Sequence, residues 1–126
     1  MKSVATEKAP AAVGPYSQAI VSGGFVFTSG QLGIDENGVF ASSVAGQTEN
    51  AIKNLSEVLR AAGSDLSRVV KTTCFLSNIA DFAAFNETYG KYFTNKPARS
   101  LIQAAALPKG SLVEIEAIAE TENEKE

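Results

Sequence analysis

Arg99, Glu114 and Glu116 are the residues best placed to do chemistry, because each interrupts a stretch that otherwise reads as buried strand. The stretches are Pro97-Ala98-Arg99-Ser100-Leu101-Ile102 and Leu112-Val113-Glu114-Ile115-Glu116-Ala117-Ile118-Ala119. A charge in such a place is costly unless something pairs with it. Either these charges satisfy one another, or Arg99 waits for an anionic ligand. The plainer alternatives are a solvated strand face for Glu114 and Glu116, and for Arg99 a surface salt bridge, which is worth little.

Composition narrows what the rest of the chain can contribute. The sequence has no histidine, which removes Ser-His-Asp and Cys-His catalysis and the usual zinc sites. One cysteine, Cys74, cannot form an internal disulfide, which fits a reducing, cytoplasmic setting. The formal net charge of -3, with eleven scattered basic residues, argues against a nucleic-acid surface. Met1–Pro10 lacks the apolar core of a signal peptide, and no apolar run approaches membrane-spanning length. At 126 residues the chain suits one domain, spanning 1–126, with a frayed acidic tail from about 121. No metal or cofactor is expected. Chemistry falls to Arg, Glu, Tyr, Ser, Asn, backbone and water.

The elements that must position these groups follow from periodicity. Tyr16–Ser22 and Phe25–Leu32 flank Gly23-Gly24, a dipeptide suited to a two-residue hairpin turn. Strict alternation from that turn puts Tyr16, Gln18, Ser29 and Gln31 on one face, either a solvated sheet surface or part of a site. Gly33–Ser43 reads as loop. Ala51, Ile52, Leu55, Val58, Leu59 and Ala62 form a helical apolar stripe that Gly63 ends. Val69–Leu76 is a β-branched core strand containing Cys74, which reads as a buried structural thiol.

A second helix is expected from about Ala80 to Phe93, capped by Asn78 or Asp81, with Phe82, Phe85, Tyr89 and Phe93 as its buried stripe. Asn86 shares that stripe, holding backbone or facing a ligand. Strands Arg99–Ala104 and Leu112–Ala119 close the order ββαβαββ. Both helices carry one apolar stripe, so both pack on one sheet face, giving an α+β two-layer domain. The other face is left uncovered with apolar residues, which suggests self-association.

If the last two strands form a hairpin turning near Lys109, Arg99 faces a residue near Ala119. Glu114 then lies five residues away, about 16 Å at strand rise. On that register Arg99 and Glu114 of one chain do not touch, and a shared site requires two subunits.

Taken together in order and spacing, several segments resemble the reactive-intermediate deaminase (RidA, YjgF-type) family over nearly the whole length. They are Ala9-Pro-Ala-Ala-Val-Gly-Pro-Tyr16-Ser-Gln18, Thr28-Ser-Gly-Gln31, Val70-Lys-Thr-Thr73, Phe85-Asn86, Pro97-Ala-Arg99-Ser100, and Leu107-Pro-Lys109 with Val113-Glu-Ile-Glu-Ala117. The resemblance implies a chorismate-mutase-like α+β fold, and a homotrimer whose sheets line a central barrel with clefts between subunits. It implies hydrolysis of 2-imino or enamine acids, such as 2-iminobutanoate and 2-iminopropanoate, to 2-oxo acids and ammonia.

The family's carboxylate-binding arginine falls on Arg99 and its water-positioning glutamate on Glu114. Pocket positions fall on Tyr16, Ser29, Gly30 and Asn86. Where most similar members carry cysteine two residues after the arginine, this chain has Leu101, whose backbone can still contact the ligand.

These residue types suit that reaction. A protonated imine is already electrophilic, so its hydrolysis requires a held substrate, one activated water and a proton for the departing nitrogen. A guanidinium binds a carboxylate bidentately, and positioning of this kind supplies much of the acceleration. A half-buried Glu has a route to a raised pKa and to managing the water. Tyr16 can cap the pocket that the resemblance implies and hydrogen-bond there. Two other roles remain compatible with the residues: a binding or regulatory module for a small carboxylate without turnover, and an RNA-cleaving translation inhibitor, which the charge pattern disfavours. A chaperone-like role has no motif in its favour.

Overall fold

The computed structural model describes residues 1–122. Its elements are β1 (Lys2–Val4), β2 (Ala19–Ser22), β3 (Phe25–Thr28), β4 (Gln31–Leu32), α1 (Val44–Ala61), β5 (Val69–Leu76), α2 (Phe82–Tyr92), β6 (Ala98–Gln103) and β7 (Val113–Glu120). They form the expected α+β pair of layers, two helices on one mixed sheet. The sheet runs β1-β2-β3-β7-β5-β6, with β4 also on β7 beyond the end of β3. Every pairing is antiparallel except β5 with β6.

Chain direction explains why both helices share a face. The crossover through α1 carries the chain from β4 past β7 to β5, and α2 carries it onward from β5 to β6. Both steps move the same way along the sheet between parallel strands. Right-handed crossovers therefore place both helices on the same side.

Between helices and sheet lies a core in which Ile52, Leu55, Val58, Leu59, Phe85, Val113 and Ile115 are wholly buried. Each such side chain contributes about 1.5–3 kcal/mol relative to exposure. Among the described residues no helix is long and apolar enough to cross a membrane.

Helix α1 obeys its local signals at both ends. Ser43 caps it by accepting from Gly46 N–H at 3.0 Å. Gly63, one residue past the C-cap Ala62, takes the positive φ of 80° that the cap requires. The first turn of the second helical region departs from expectation. Asn78 caps a short 3-10 turn, Ile79–Asp81, and α2 proper starts at Phe82 with no side-chain cap from Asp81. Phe82 is 42% exposed rather than buried.

Three expectations are corrected in the sheet. The first concerns β6 and β7, which form no hairpin. β6 lies parallel to β5, with Thr72 opposite Arg99, while β7 lies on the other edge of β5 with Ala117 opposite Thr72. A strand reached through a helix pairs in parallel with the strand that precedes the helix, and this outweighs adjacency in sequence.

The second correction concerns the long hairpin arm Phe25–Leu32, which breaks at Gly30. The turn Gly23-Gly24 has positive φ at both residues and sets Ala19 opposite Thr28, as its geometry dictates. From Phe27 to Gln31 the chain then advances four residues while its partner retreats only three, from Ile118 to Ile115. That extra residue is a β-bulge. It rotates Gln31 onto the helix side, opposite the buried Ile115, and separates it from Ser29 and Tyr16.

Gln18 is likewise buried, 4% exposed, rather than solvated. Its amide ties down the N-terminal segment, accepting from Thr6 N–H at 2.6 Å and donating to the carbonyls of Thr6 at 3.1 Å and Pro10 at 2.9 Å.

The third correction concerns the tail. Thr121 is buried and donates its N–H to Gly24 at 3.0 Å, and Glu122 donates to Gly63 at 3.0 Å. The expected fraying of the remaining residues, 123–126, falls outside the described residues.

Candidate functional site

The register divides the expected site residues into two groups on opposite faces of the sheet. Arg99 sits on β6 in the same row as the buried Thr72 and points to the helix side. Glu114 sits opposite Phe75, in the row flanked by Leu32, and points to the open side. Three residues along the strands and two strands across separate them, about 10 Å in each direction. Within one chain they do not pair. The expectation of separation is met, although by face and by an intervening strand rather than by a hairpin offset.

Around Arg99, three residues of α2 at helical spacing make a receptacle. Asn86 Oδ1 accepts from Arg99 Nη1 at 2.8 Å. The Arg99 Cζ lies 4.9 Å from the Tyr89 ring centroid and 5.8 Å from that of Phe82. This is within cation–π range. Tyr89 is held in turn by Thr72, its hydroxyl 2.8 Å from Thr72 Oγ1.

The ion pairs among the described residues join Lys53 to Glu49 and Arg60 to Glu57 on α1, and neither involves Arg99. Arg99 therefore has one hydrogen-bond acceptor and two aromatic neighbours, with no carboxylate partner among those residues. Leu101, two residues on, points to the same side and packs against the core beside the buried Cys74. Burial pushes the Cys74 thiol up to about 11, so it carries no thiolate near neutrality.

The second group gathers at the bulge. Ser29 lies just past β3, its N–H bonded to the Gln18 carbonyl at 2.9 Å and its hydroxyl donating to the Ser17 carbonyl at 2.6 Å. Thr28 Oγ1 takes the Ala117 N–H at 3.0 Å where the ladder is interrupted. Gly30 follows, and the Glu114 side chain lies directly over it. A β-carbon at position 30 would come within 2.8 Å of Glu114 Cδ and 2.9 Å of its Cγ.

The Glu114 pKa is raised, first by burial and second by the neighbouring Glu116 carboxylate. Glu116 itself is exposed. Tyr16 stands apart on the N-terminal segment, 53% exposed, where it lines a cavity of about 670 Å³. Neither that cavity nor a second, of about 650 Å³ beside α1, includes Arg99 or Glu114.

Tyr89, Thr72 and Phe82 belong to the Arg99 receptacle; the helical stripe and the core strand predict the burial of Tyr89 and Thr72 but not their place beside Arg99. The signal was present in the i, i+4, i+7 spacing of Phe82, Asn86 and Tyr89, which puts one amide between two rings on a single helix face.

The open sheet face carries Phe25, Phe27 and Ile102 at 38%, 43% and 51% exposure. Comparison with known proteins places this architecture. The Endoribonuclease L-PSP family model matches residues 6–121. Reactive Intermediate Deaminase A, chloroplastic, of Arabidopsis thaliana is 57% identical over 92% of this chain, which spans 64% of that longer protein. The 2-iminobutanoate/2-iminopropanoate deaminase of Rattus norvegicus is 50% identical over 94% of this chain and 88% of its own length. The crystal structure of the YjgF gene product from E. coli superposes with a TM-score of 0.91 at 42% identity, covering 95% of this chain and 98% of that one. On this family match and these identities, the chain belongs to the Endoribonuclease L-PSP family, alongside the reactive-intermediate deaminases.

Proposed function

We propose that this protein hydrolyses 2-imino acids and their enamine tautomers, 2-iminobutanoate and 2-iminopropanoate among them, to 2-oxo acids. Water adds to the carbon of the protonated imine, the C–N bond breaks, and the products are the 2-oxo acid and ammonium. The observation that carries this reading is the Arg99 guanidinium, seated on aromatic rings and Asn86 without a carboxylate partner among the described residues. Its remaining N–H groups suit the substrate carboxylate.

Glu114, with its raised pKa, holds the attacking water and moves a proton to the leaving nitrogen. Tyr16 caps the substrate, while Ser29, Gly30 and Leu101 form its walls, Leu101 against the imine side chain.

Because Arg99 and Glu114 lie on opposite faces of one sheet, the site is completed between subunits of a homotrimer packed through the open sheet face. The exposed Phe25, Phe27 and Ile102 support that packing. No cofactor takes part in this scheme. A cytoplasmic location belongs to the same reading and is supported by the single buried free thiol. The net charge of -3 and the lack of histidine support a small-molecule substrate over the RNA cleavage of the family's name.

The test couples the protein to a threonine dehydratase and follows 2-oxobutanoate and ammonia. Faster release than in the uncatalysed control, lost in a folded Arg99→Ala variant, is the expected result. Binding of 2-oxobutanoate with no acceleration would instead indicate a metabolite-binding module.

A further inference from the structure

We propose that Tyr89, tethered through its phenol to Thr72, is a positioning residue that fixes the plane of the Arg99 guanidinium for the anion it receives. The inference rests on the carboxylate-anchor reading of Arg99 and gives Tyr89 and Thr72 a role in it.

Arg99 and Thr72 are opposite one another on adjacent strands, so the arginine and the hydroxyl that tethers its platform share one row of the sheet. Thr72 is wholly buried and Tyr89 is 8% exposed. Their oxygens are 2.8 Å apart. The Tyr89 ring packs on two aromatic neighbours, stacked on Phe93 at 4.5 Å between centroids and tilted against Phe85 at 5.5 Å. The Arg99 guanidinium lies over the same ring, at 4.9 Å.

Packing alone does not call for this arrangement. A phenylalanine and a valine fill the same volumes without burying two hydroxyls that must then find each other. What the hydrogen bond adds is a fixed ring orientation. Burial raises the Tyr89 pKa, so the ring stays neutral while it faces a cation. With one guanidinium N–H on Asn86 and its Cζ over the Tyr89 ring, the side chain has little rotational freedom left to lose when a carboxylate arrives. A purely structural Tyr89 would stabilise the fold without any effect on what Arg99 binds.

The experiment compares Thr72→Val, Thr72→Ser, Tyr89→Phe and the double variant Thr72→Val/Tyr89→Phe with the parent protein. Three readouts are taken: thermal melting, the Kd of 2-oxobutanoate as a non-reacting carboxylate probe, and the Arg99 Nε–H resonance, which the Tyr89 ring current displaces. Thr72→Val and Tyr89→Phe are expected to weaken probe binding by about 3- to 10-fold and raise KM in step, with kcat little changed. Thr72→Ser retains the parent affinity.

The double variant removes both polar ends while keeping shape, so it recovers melting temperature but not affinity. The Arg99 resonance moves in each variant that lacks the hydrogen bond. Variants that melt lower yet keep the parent Kd, KM and Arg99 resonance would overturn the proposal. If the resonance moves but no variant, Arg99→Ala included, alters the Kd, then Tyr89 does position Arg99 and it is the carboxylate-anchor reading that fails.

Discussion

A side chain at position 30 and the carboxylate of Glu114 compete for one volume: the Glu114 Cγ and Cδ lie where any β-carbon on Gly30 would make a sub-van-der-Waals contact. The bulge between β3 and β4 delivers the glycine to that point, because its extra residue breaks the ladder beside Glu114. Gly30→Ala therefore expels the carboxylate from its seat. Displacement of a reacting group by about 1 Å costs up to 100-fold in rate, so kcat should fall by roughly 10- to 100-fold while probe binding at Arg99 changes far less. Steady-state kinetics with dehydratase-generated iminobutanoate, beside the Kd of 2-oxobutanoate, separates the two effects. A loss confined to KM would show that Glu114 is not the group Gly30 accommodates for catalysis.

Glu114 also makes a prediction in pH. Its pKa is raised by burial and by Glu116, and in the proposed role of water-handling base it works deprotonated. Activity should rise with pH as Glu114 loses its proton. Glu116→Gln removes one of the two causes, lowers the Glu114 pKa and moves this limb of the profile to lower pH. Stability runs the other way. A carboxyl whose folded pKa is raised favours the fold when protonated, so its contribution is complete below the unfolded pKa and is lost as pH rises through the folded one. Glu114→Gln, neutral at every pH, should abolish turnover yet melt higher than the parent protein at neutral pH. A lower melting temperature at pH 7 would mean that the carboxylate is stabilised by the fold, contrary to its raised pKa.

The features legible in the sequence were those set by local chemistry. Gly63 ends α1 because positive φ is decided within a few residues, and Gly23-Gly24 fixed the Ala19–Thr28 register for the same reason, whereas the Ser43 cap was read only as the end of a loop. Gln31 was assigned to the wrong face because alternation counts residues, and a bulge adds one without leaving a compositional mark beyond Gly30 itself. The β6–β7 hairpin failed because pairing is a contest between distant segments, and the helical crossover through α2 committed β6 to β5. The separation of Arg99 from Glu114 was anticipated, but the faces they occupy follow only from the full strand order.

Leu101 and Cys74 are neighbours across β6 and β5, so a thiol lies on the strand beside Leu101. That thiol is not a reactive group. It is wholly buried and its pKa is pushed up to about 11, leaving no reactive thiolate near pH 7. Native protein treated with iodoacetamide should retain full activity and show Cys74 unmodified by mass spectrometry, with alkylation appearing only after denaturation. Inactivation in step with Cys74 labelling would contradict the assignment of Cys74 as a structural thiol.

The opposition of Arg99 and Glu114 across the sheet makes the assembly itself testable. If each site takes Arg99 from one subunit and Glu114 from the next, Arg99→Ala and Glu114→Gln chains are each inactive alone but complementary when mixed. In a cyclic trimer, every mixed assembly then contains one junction where an intact Arg99 meets an intact Glu114. Random exchange of equal amounts restores about a quarter of the parent sites. A site built within one chain restores none, because no single chain holds both residues. Denaturing and refolding the two variants together, with each refolded alone as control, reads the difference directly in 2-oxobutanoate production. Substituting Phe27→Asp on the open face, where the ring is already 43% exposed, leaves the isolated fold largely undisturbed. It should nevertheless lower the mass seen by light scattering and abolish activity in parallel, although Phe27 lies in neither half of the site. A Phe27→Asp protein that stays assembled and active would place the contact between subunits on some other surface.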